Sequence, residues 1–242
     1  MSNYYFLMCM LPVMPAALGE KMSLGYGEVA GAIKRNIHPE DIGVAHAHLQ
    51  SVDAFNWEQM DQGRDLFIEG GLLSHDDMAA NRDLPDFIRI FREEKERGIH
   101  RANLYDRLWE LYYSYAHAVA ERAGCRFLID YLSWEIELRS SLATVRIREI
   151  DGNVDDHAIL TSFRPRDFSN FITSLKSQKN PLQVERFIDE ERLKQIYRFE
   201  GSSSFSIDVL LAYLSRAAIY ARWERISEHF DIETYLWHGG SM

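Results

Sequence analysis

The residues whose types and spacing could do chemistry are concentrated in one segment, residues 127–148 (FLIDYLSWEIELRSSLATVRIR). Its apolar residues recur at helical spacing, and Glu135 falls on the side of the helix that should face a core. Arg139 follows four positions later, the spacing at which side chains on neighbouring turns meet, and Arg146 and Arg148 lie further along. These charges could form an acid–base pair in a cleft or an ion-pair network that joins packed helices. Because nothing else in the sequence positions a substrate, we interpret them as a structural ion-pair network.

A second set of residues has the side chains that bind divalent metals. His46 and His48 precede His75 and Asp76, and Asp130 lies further on in a predicted helix. This order is similar to that of HD-type metal-dependent phosphohydrolases, helical enzymes in which histidines and acids hold a metal beside a phosphate ester. The two early histidines point in different directions from a helix, and Asp76 adjoins a predicted helix cap, where acids are common. We expect structural histidines and keep the phosphohydrolase as the alternative hypothesis.

Other classes of function lack their motifs. The sequence contains neither GxxxxGK[ST] nor GxGxxG for a nucleotide, and no GxSxG for a serine nucleophile. The 37 acidic residues outnumber the 27 basic residues, giving a formal charge of -10, which disfavours a nucleic-acid partner. We therefore predict no catalytic, cofactor-binding or metal-binding residues.

The N-terminus and the cysteines indicate the compartment. Residues 4–14 are apolar, but eleven residues that include Pro12 are too few for a membrane-spanning helix, which needs about twenty. A signal peptide would need a basic region before this run, and none is present. Cys9 and Cys125 are far apart and form no CxxC pair. A cytoplasmic protein without a membrane span is expected.

Apolar periodicity, caps and breakers predict an all-α fold, a multi-helix bundle of long antiparallel helices. Residues 4–14 are predicted to form a short buried strand or an extended arm. One domain, 1–242, is expected, with two lobes at about 1–100 and 101–242. The predicted helices are 26–36, 53–67 ending near Gly70-Gly71, one starting at Ser74, 86–97, two long helices within 102–150 joined at Gly124, 163–176, 181–199 and 206–230.

Several blocks of the sequence resemble one group of proteins. Residues 108–152 (LWELYYSYAHAVAERAGCRFLIDYLSWEIELRSSLATVRIREIDG) resemble the helical signature of the C subunit of bacterial and archaeal V-type or A-type ATPases, whose eukaryotic counterpart is the d subunit. More closely, the chain resembles an uncharacterised family encoded in bacterial V-type ATPase operons. Residues 4–15 (YYFLMCMLPVMP) are similar to the start of that family. Residues 53–56 (DAFN) and 67–73 (FIEGGLL) are similar to its early pieces, and 205–223 to its last helix.

The resemblance implies an all-helical, non-catalytic adaptor without a cofactor. Its protein partners would be the central-stalk subunits and the membrane rotor ring of a V-type ATPase, between which it would transmit torque during ion transport. It would be cytoplasmic and peripheral to the membrane through the ATPase complex. The chain has Arg139-Ser140 where C subunits commonly have Arg-Asn, and typical C subunits are longer, with three related helical repeats. We therefore expect either an ATPase subunit or an accessory protein.

Overall fold

The computed structural model describes residues 4–99, 103–149, 167–202 and 205–229, without the side chains of 148, 149, 228 and 229. In these ranges the fold is all-α, as predicted, with no strand. The helices are α1 (Tyr5–Met10), α2 (Tyr26–Asn36), a 3-10 helix (Pro39–Asp41), α3 (Ile42–Asp61), α4 (His75–Ala79), α5 (Asp86–Glu96), α6 (Leu104–Ala123), α7 (Arg126–Glu149), α8 (Ser169–Lys176), α9 (Pro181–Phe199) and α10 (Ile207–His229).

The centre of the bundle is the antiparallel pair formed by α6 and α7. The turn between them is Gly124, whose φ of 66° is a left-handed conformation that glycine adopts without steric cost. The sequence prediction of two long helices joined at this residue is confirmed. Helix α3 packs along α6, while α9 and α10 pack on α7 and on each other. Among the described helices, none has the length and apolar character that crossing a bilayer requires.

The main hydrophobic core draws on residues from both sides of position 100, including Phe91 of α5 and Leu108 of α6. A smaller cluster lies where α8 covers α7 and α9, and it consists of Trp134, Leu138, Phe168, Leu175 and Ile188. The expected single domain with two lobes remains a prediction.

The N-terminal segment differs from the strand or extended arm predicted for it, because residues 5–10 form α1. Only Leu7 of this helix is buried, whereas the side chains of Tyr5 and Phe6 are 55% and 70% exposed. With no described strand to pair with, the backbone satisfies its hydrogen bonds within a helix instead. After α1 the segment continues along α10: Tyr213 donates a hydrogen bond to the carbonyl of Pro12, and Gly19 lies against Ser227.

The predicted helix 53–67 is also wrong in its bounds, since α3 runs from Ile42 to Asp61. Gly63, two residues beyond the helix end, turns the chain away: its φ is 69° and its N–H donates to the carbonyl of Met60. Leu66, which lies within the predicted helix, is outside α3 and 41% exposed. Residues 62–74 form a loop, which we call the α3–α4 loop, and Gly70-Gly71 belong to it and do not end the helix.

The remaining helix predictions agree with the structure to within a few residues. The predicted helices 26–36 and 181–199 have the observed bounds, and α5 starts directly after Pro85. Ser74 caps α4, its hydroxyl accepting a hydrogen bond from the backbone N–H of Asp77 at 3.1 Å. Helix α8 begins at Ser169, and residues 163–166 of its predicted range lie outside the described residues.

Candidate functional site: a buried ion-pair network

Glu135 of α7 binds two arginines, one on its own helix and one on α9. Its side chain is buried, and Arg139, one turn further along α7, donates a hydrogen bond from Nε to Oε1 at 3.0 Å. Arg192 of α9 makes a two-pronged contact, with Nε 3.0 Å from Oε2 and Nη2 2.7 Å from Oε1. Such bidentate geometry fixes both the distance and the relative orientation of the two helices.

The pKa of Glu135 follows from two opposing effects. Burial raises it, because a charged carboxylate loses its hydration. The guanidinium groups of Arg192 and then Arg139 outweigh this effect and hold the pKa below its ordinary value. Glu135 is therefore an anion at neutral pH whose charge is balanced by its neighbours.

A second carboxylate extends the network to α10. Asp189 accepts hydrogen bonds from Arg192 at 2.9 Å, from Arg222 at 2.7 Å and from the indole of Trp223 at 2.8 Å. Arg222 also donates to Glu185 at 2.6 Å. We call the six charged residues Glu135, Arg139, Glu185, Asp189, Arg192 and Arg222 the buried network. Its three carboxylates and three guanidinium groups connect α7, α9 and α10.

Aromatic rings connect the buried network to two more helices, α6 and α3. The Arg139 guanidinium lies over the ring of Trp109, 4.5 Å from its centre, and 5.4 Å from that of Tyr113. Trp109 in turn donates a hydrogen bond from Nε1 to Glu58 of α3 at 2.7 Å. Five helices are thus linked through Arg139 and its partners.

Two of the four residues assigned to the network from sequence are not seen in it. Arg146 is exposed and makes no ion pair with any described residue. It lies on the same side of α7 as Glu135, but eleven residues correspond to a rise of about 16 Å, too far for direct contact. The side chain of Arg148 lies outside the described residues.

Sequence reasoning missed the members of the network on α9 and α10. Arg192 is 57 positions from Glu135, so helical spacing, which reports only neighbours on one helix, could not identify it. One signal was present, because Asp189 and Arg192 are three positions apart on a predicted helix and could pair with each other.

The geometry is better suited to joining helices than to moving protons. Glu135 accepts three hydrogen bonds from guanidinium groups, and Asp189 accepts three hydrogen bonds from cationic and indole N–H groups. A general base needs a lone pair directed at a substrate and a pKa near the working pH. Glu135 has a lowered pKa and oxygens already engaged by arginine.

The histidines considered as metal ligands have separate environments. His48 is buried, its Nε2 lies 3.2 Å from the Ser215 hydroxyl, and burial lowers its pKa to about 4. His46 is half-buried, and its pKa is lowered first by burial and then by Lys34. His75 is exposed near the start of α4.

The acids of the same hypothesis are also apart. Asp76 is exposed beside His75, and Asp130 is half-buried on α7, where its nearest cation is Arg126 at 4.0 Å. In the part of the chain that the structure describes, no three His, Cys, Asp or Glu side chains are grouped so that they could hold a metal ion.

A different kind of polar contact fixes the α3–α4 loop to α3. Asp53, fully buried, accepts hydrogen bonds from the backbone N–H groups of Leu72 at 3.0 Å and Leu73 at 3.1 Å. Asn56 forms a reciprocal pair with Ile68, donating to its carbonyl and accepting from its N–H, both at 2.8 Å. The blocks 53–56 and 67–73 are therefore in direct contact.

The surroundings of Asp53 combine burial with close packing. Burial raises its pKa from 3.8 to about 6, against the opposing effects of the two backbone N–H groups and of Lys34. The Lys34 ammonium is fixed nearby by the carbonyl of Gly71 at 2.9 Å. Gly71 packs so closely that a Cβ there would lie 2.2 Å from Oδ1 of Asp53. Only glycine fits at this position.

A third buried contact joins the starts of two helices. Asp208, in the first turn of α10, accepts hydrogen bonds from the backbone N–H of Phe127 at 2.9 Å and from the Cys125 thiol at 3.2 Å. Asp53, Glu135 and Asp208 thus share a role, since each binds groups from another element.

Comparison with known proteins identifies one relationship. No curated protein and no solved structure matches the chain. The model of one protein family, described as "Protein of unknown function (DUF2764)", matches residues 1–235, which is nearly the entire chain of 242 residues. The chain belongs to this family, DUF2764.

Proposed function

We propose that this chain is a non-catalytic subunit or accessory protein of a bacterial V-type ATPase. It acts as an adaptor that resembles the C subunit and couples the central stalk to the membrane rotor ring. Its partners are the central-stalk subunits and the ring, and it is cytoplasmic, held at the membrane through the complex. The proposal begins from the resemblance of residues 4–15, 53–56, 67–73, 108–152 and 205–223.

The observation that carries the proposal furthest is the buried network. An adaptor that transmits torque must resist sliding of its helices past one another. A bidentate contact between Arg192 and Glu135, continued through Asp189 to Arg222, opposes such sliding because its geometry tolerates little displacement. Hydrophobic contacts alone are non-directional. The network is therefore the kind of feature that a stiff mechanical part requires.

The packing of the blocks that resemble the V-type ATPase operon family gives further support. Residues 53–56 and 67–73 are separate in sequence and form one unit through Asp53 and Asn56. Residues 108–152 cover most of the α6–α7 pair. The resemblance thus falls on the parts of the chain that hold helices and loops together.

Affinity purification from native membranes tests the proposal. The full-length chain carries an affinity tag in the source cells, and membranes are extracted in a mild detergent that keeps rotary ATPases assembled. We expect central-stalk and ring subunits to co-purify with it, and a tagged cytoplasmic protein of similar size and charge to recover neither. A clean failure to associate contradicts the proposal.

Metal analysis of the same purified protein tests the alternative phosphohydrolase. Stoichiometric manganese, iron or zinc that is lost from a variant lacking His46, His75, Asp76 or Asp130 would favour that enzyme over the adaptor. A metal-free protein that co-purifies with the stalk and ring agrees with the adaptor.

A further inference from the structure

The first helix, α1, presents an apolar face to solvent. Tyr5 and Cys9 are four residues apart, as are Phe6 and Met10, so all four line one side of the helix, and all four are exposed. Met10 is 50% exposed, and Val13, just beyond the helix end, is 91% exposed. We call these five residues the α1 face. Its exposed area is about 600 Å², which is large for an apolar patch on a monomeric protein.

The rest of the N-terminal segment holds this face in place. Leu7, on the opposite side of α1, is buried in the main hydrophobic core. Just before the helix, the backbone N–H of Tyr4 donates to the carbonyl of Phe205 at 2.8 Å, and its hydroxyl donates to Asp41 at 2.5 Å. The ring of Tyr5 packs on that of Phe205, with their centres 4.2 Å apart. The α1 face is therefore preformed, and binding to it requires little further ordering of the chain.

Charge limits what this face can bind. No charged side chain occurs within residues 1–19, whereas the whole chain has a formal charge of -10. A charged partner surface would lose hydration against the α1 face and gain no ion pair from it. Helices that lie on membranes combine an apolar side with lysine and arginine, which residues 1–19 do not supply. Two copies of this acidic chain repel each other, and an uncharged face is where they can approach with the least repulsion.

The α1 face is also complementary to itself. Its two aromatic residues lie at the N-terminal end, Met10 and Val13 lie at the C-terminal end, and Cys9 lies between them. Around a twofold axis the ends pair in opposite order, so the aromatic rings of each copy contact Met10 and Val13 of the other. Methionine sulfur makes favourable contacts with aromatic rings. The two faces together would bury about 1,200 Å², the lower end of the range for specific interfaces.

We propose that the α1 face binds a second copy of this chain and forms a reversible twofold dimer with Cys9 near the axis. The small area and the absence of ion pairs correspond to a weak dimer, with a Kd on the order of 10 μM. Dimerisation concerns the chain outside the ATPase and therefore goes beyond the adaptor role. It is measured on the purified chain alone, so its failure would leave the co-purification test of the adaptor unaffected.

Sedimentation equilibrium of the full-length protein tests the proposal. Between about 1 and about 200 μM, we expect the mass to rise from 28.2 kDa towards twice that value. Higher salt should favour the dimer, because it screens the repulsion between two acidic copies. A mass of 28.2 kDa at every concentration overturns the proposal. A dimer that weakens with salt would depend on ion pairs outside the α1 face and would also overturn it.

One variant connects dimerisation to the α1 face. Phe6→Glu places a like charge in the face of each copy and should raise the Kd at least about fiftyfold. The thermal unfolding midpoint should stay unchanged, because Phe6 is mostly exposed. Ile90→Glu is the matched control, since it makes the same change in charge at another exposed apolar residue, on α5. Equal Kd values for the two variants contradict the assignment.

The two cysteines of the chain locate the interface. Cys9 is exposed and Cys125 is buried, so a short bismaleimide can link two folded copies only through Cys9. We expect a covalent dimer from the wild type and none from Cys9→Ser or Phe6→Glu. A dimer in solution that is not linked through Cys9 contradicts the twofold arrangement. A monomer that floats with vesicles of phosphatidylcholine and phosphatidylglycerol would assign the α1 face to a lipid surface and overturn the proposal.

Discussion

Asp53 and Glu135 are both buried carboxylates in long helices, but they are stabilised by different partners. Asp53 binds the uncharged backbone N–H groups of Leu72 and Leu73. Glu135 binds the guanidinium groups of Arg139 and Arg192. The pKa of Asp53 is consequently raised to about 6, whereas that of Glu135 is lowered.

The difference shows that hydrogen bonds and charge compensation are distinct requirements for a buried acid. Backbone N–H groups give Asp53 its geometry but offset only part of the lost hydration. Guanidinium groups give Glu135 both hydrogen bonds and a compensating positive charge. The two groups therefore affect stability with opposite sign: Glu135 contributes stability above its ordinary pKa that is lost as pH falls, and Asp53 contributes stability at low pH that is lost as pH rises.

The largest expected effect is that of Glu135→Ala. It leaves Arg139 and Arg192 as neighbouring, partly buried cations without their shared anion, and removing one partner of a buried pair costs about 3–5 kcal/mol. The unfolding midpoint in urea should fall clearly. Glu121→Ala, which removes a largely exposed acid on α6, is the control and should change little. An unchanged midpoint for Glu135→Ala would contradict the conclusion that the network stabilises the fold.

Asp53→Asn tests the other carboxylate through its pH dependence. The raised pKa means that the folded protein binds this proton more tightly than the unfolded chain, so stability is lost as the pH rises from about 4 through 6. A pKa difference of about two units between the folded and unfolded states corresponds to about 3 kcal/mol of unfolding free energy. Between pH 4 and pH 7, the unfolding free energy of the wild type should fall by about this amount relative to the variant. Parallel pH profiles from urea denaturation would show that Asp53 is not desolvated.

Gly71→Ala tests the closeness of the α3–α4 loop to Asp53. The added Cβ would lie 2.2 Å from Oδ1, so the loop must move and its hydrogen bonds to Asp53 lengthen. Overpacking of this kind typically costs about 1–3 kcal/mol, and we expect about 2. Gly43→Ala is the control, since nothing lies within 4 Å of its Cβ and alanine favours a helix. Equal stability of the two variants would contradict the tight contact.

The smallest effect is expected for Arg139→Met. Arg139 makes one of the three hydrogen bonds to Glu135, its side chain is one-third exposed, and the methionine retains contact with Trp109. We expect a loss of about 1 kcal/mol, since solvent screens part of the charge interaction. Arg192→Met removes two hydrogen bonds to Glu135 and should lower the unfolding free energy by more in the same urea denaturation assay. The reverse order would mean that Arg139 is the principal partner.

Local signals were sufficient to predict most of the helices. Pro181, Gly124 and Ser74 each mark a helix boundary through their own backbone or side-chain chemistry, and the boundaries lie where these residues predict. The failures involve distant contacts. The predicted helix began at Asp53, but Asp53 is buried within α3, and its carboxylate binds a loop nineteen residues further on.

The candidate site was predictable to the same local extent. The pairing of Glu135 with Arg139 follows from their spacing, and the buried side of α7 follows from its apolar stripe. The partner on α9 depends on how the helices pack, which no spacing within a single helix encodes. Arg146 satisfied the angular periodicity but not the distance along the axis, so periodicity alone assigned too many residues to the network.

The contact between the N-terminal segment and α10 has a consequence for synthesis of the protein. Tyr4, Pro12 and Gly19 lie against Phe205, Tyr213 and Ser227 in turn, so the segment follows α10 along its length. A ribosome adding about 5–20 residues per second needs roughly 10 to 40 s to make the two hundred residues between them. For that time the contacts of the segment with Phe205 and α10 cannot form, and it keeps only its contacts with earlier parts of the chain, such as that of Tyr4 with Asp41.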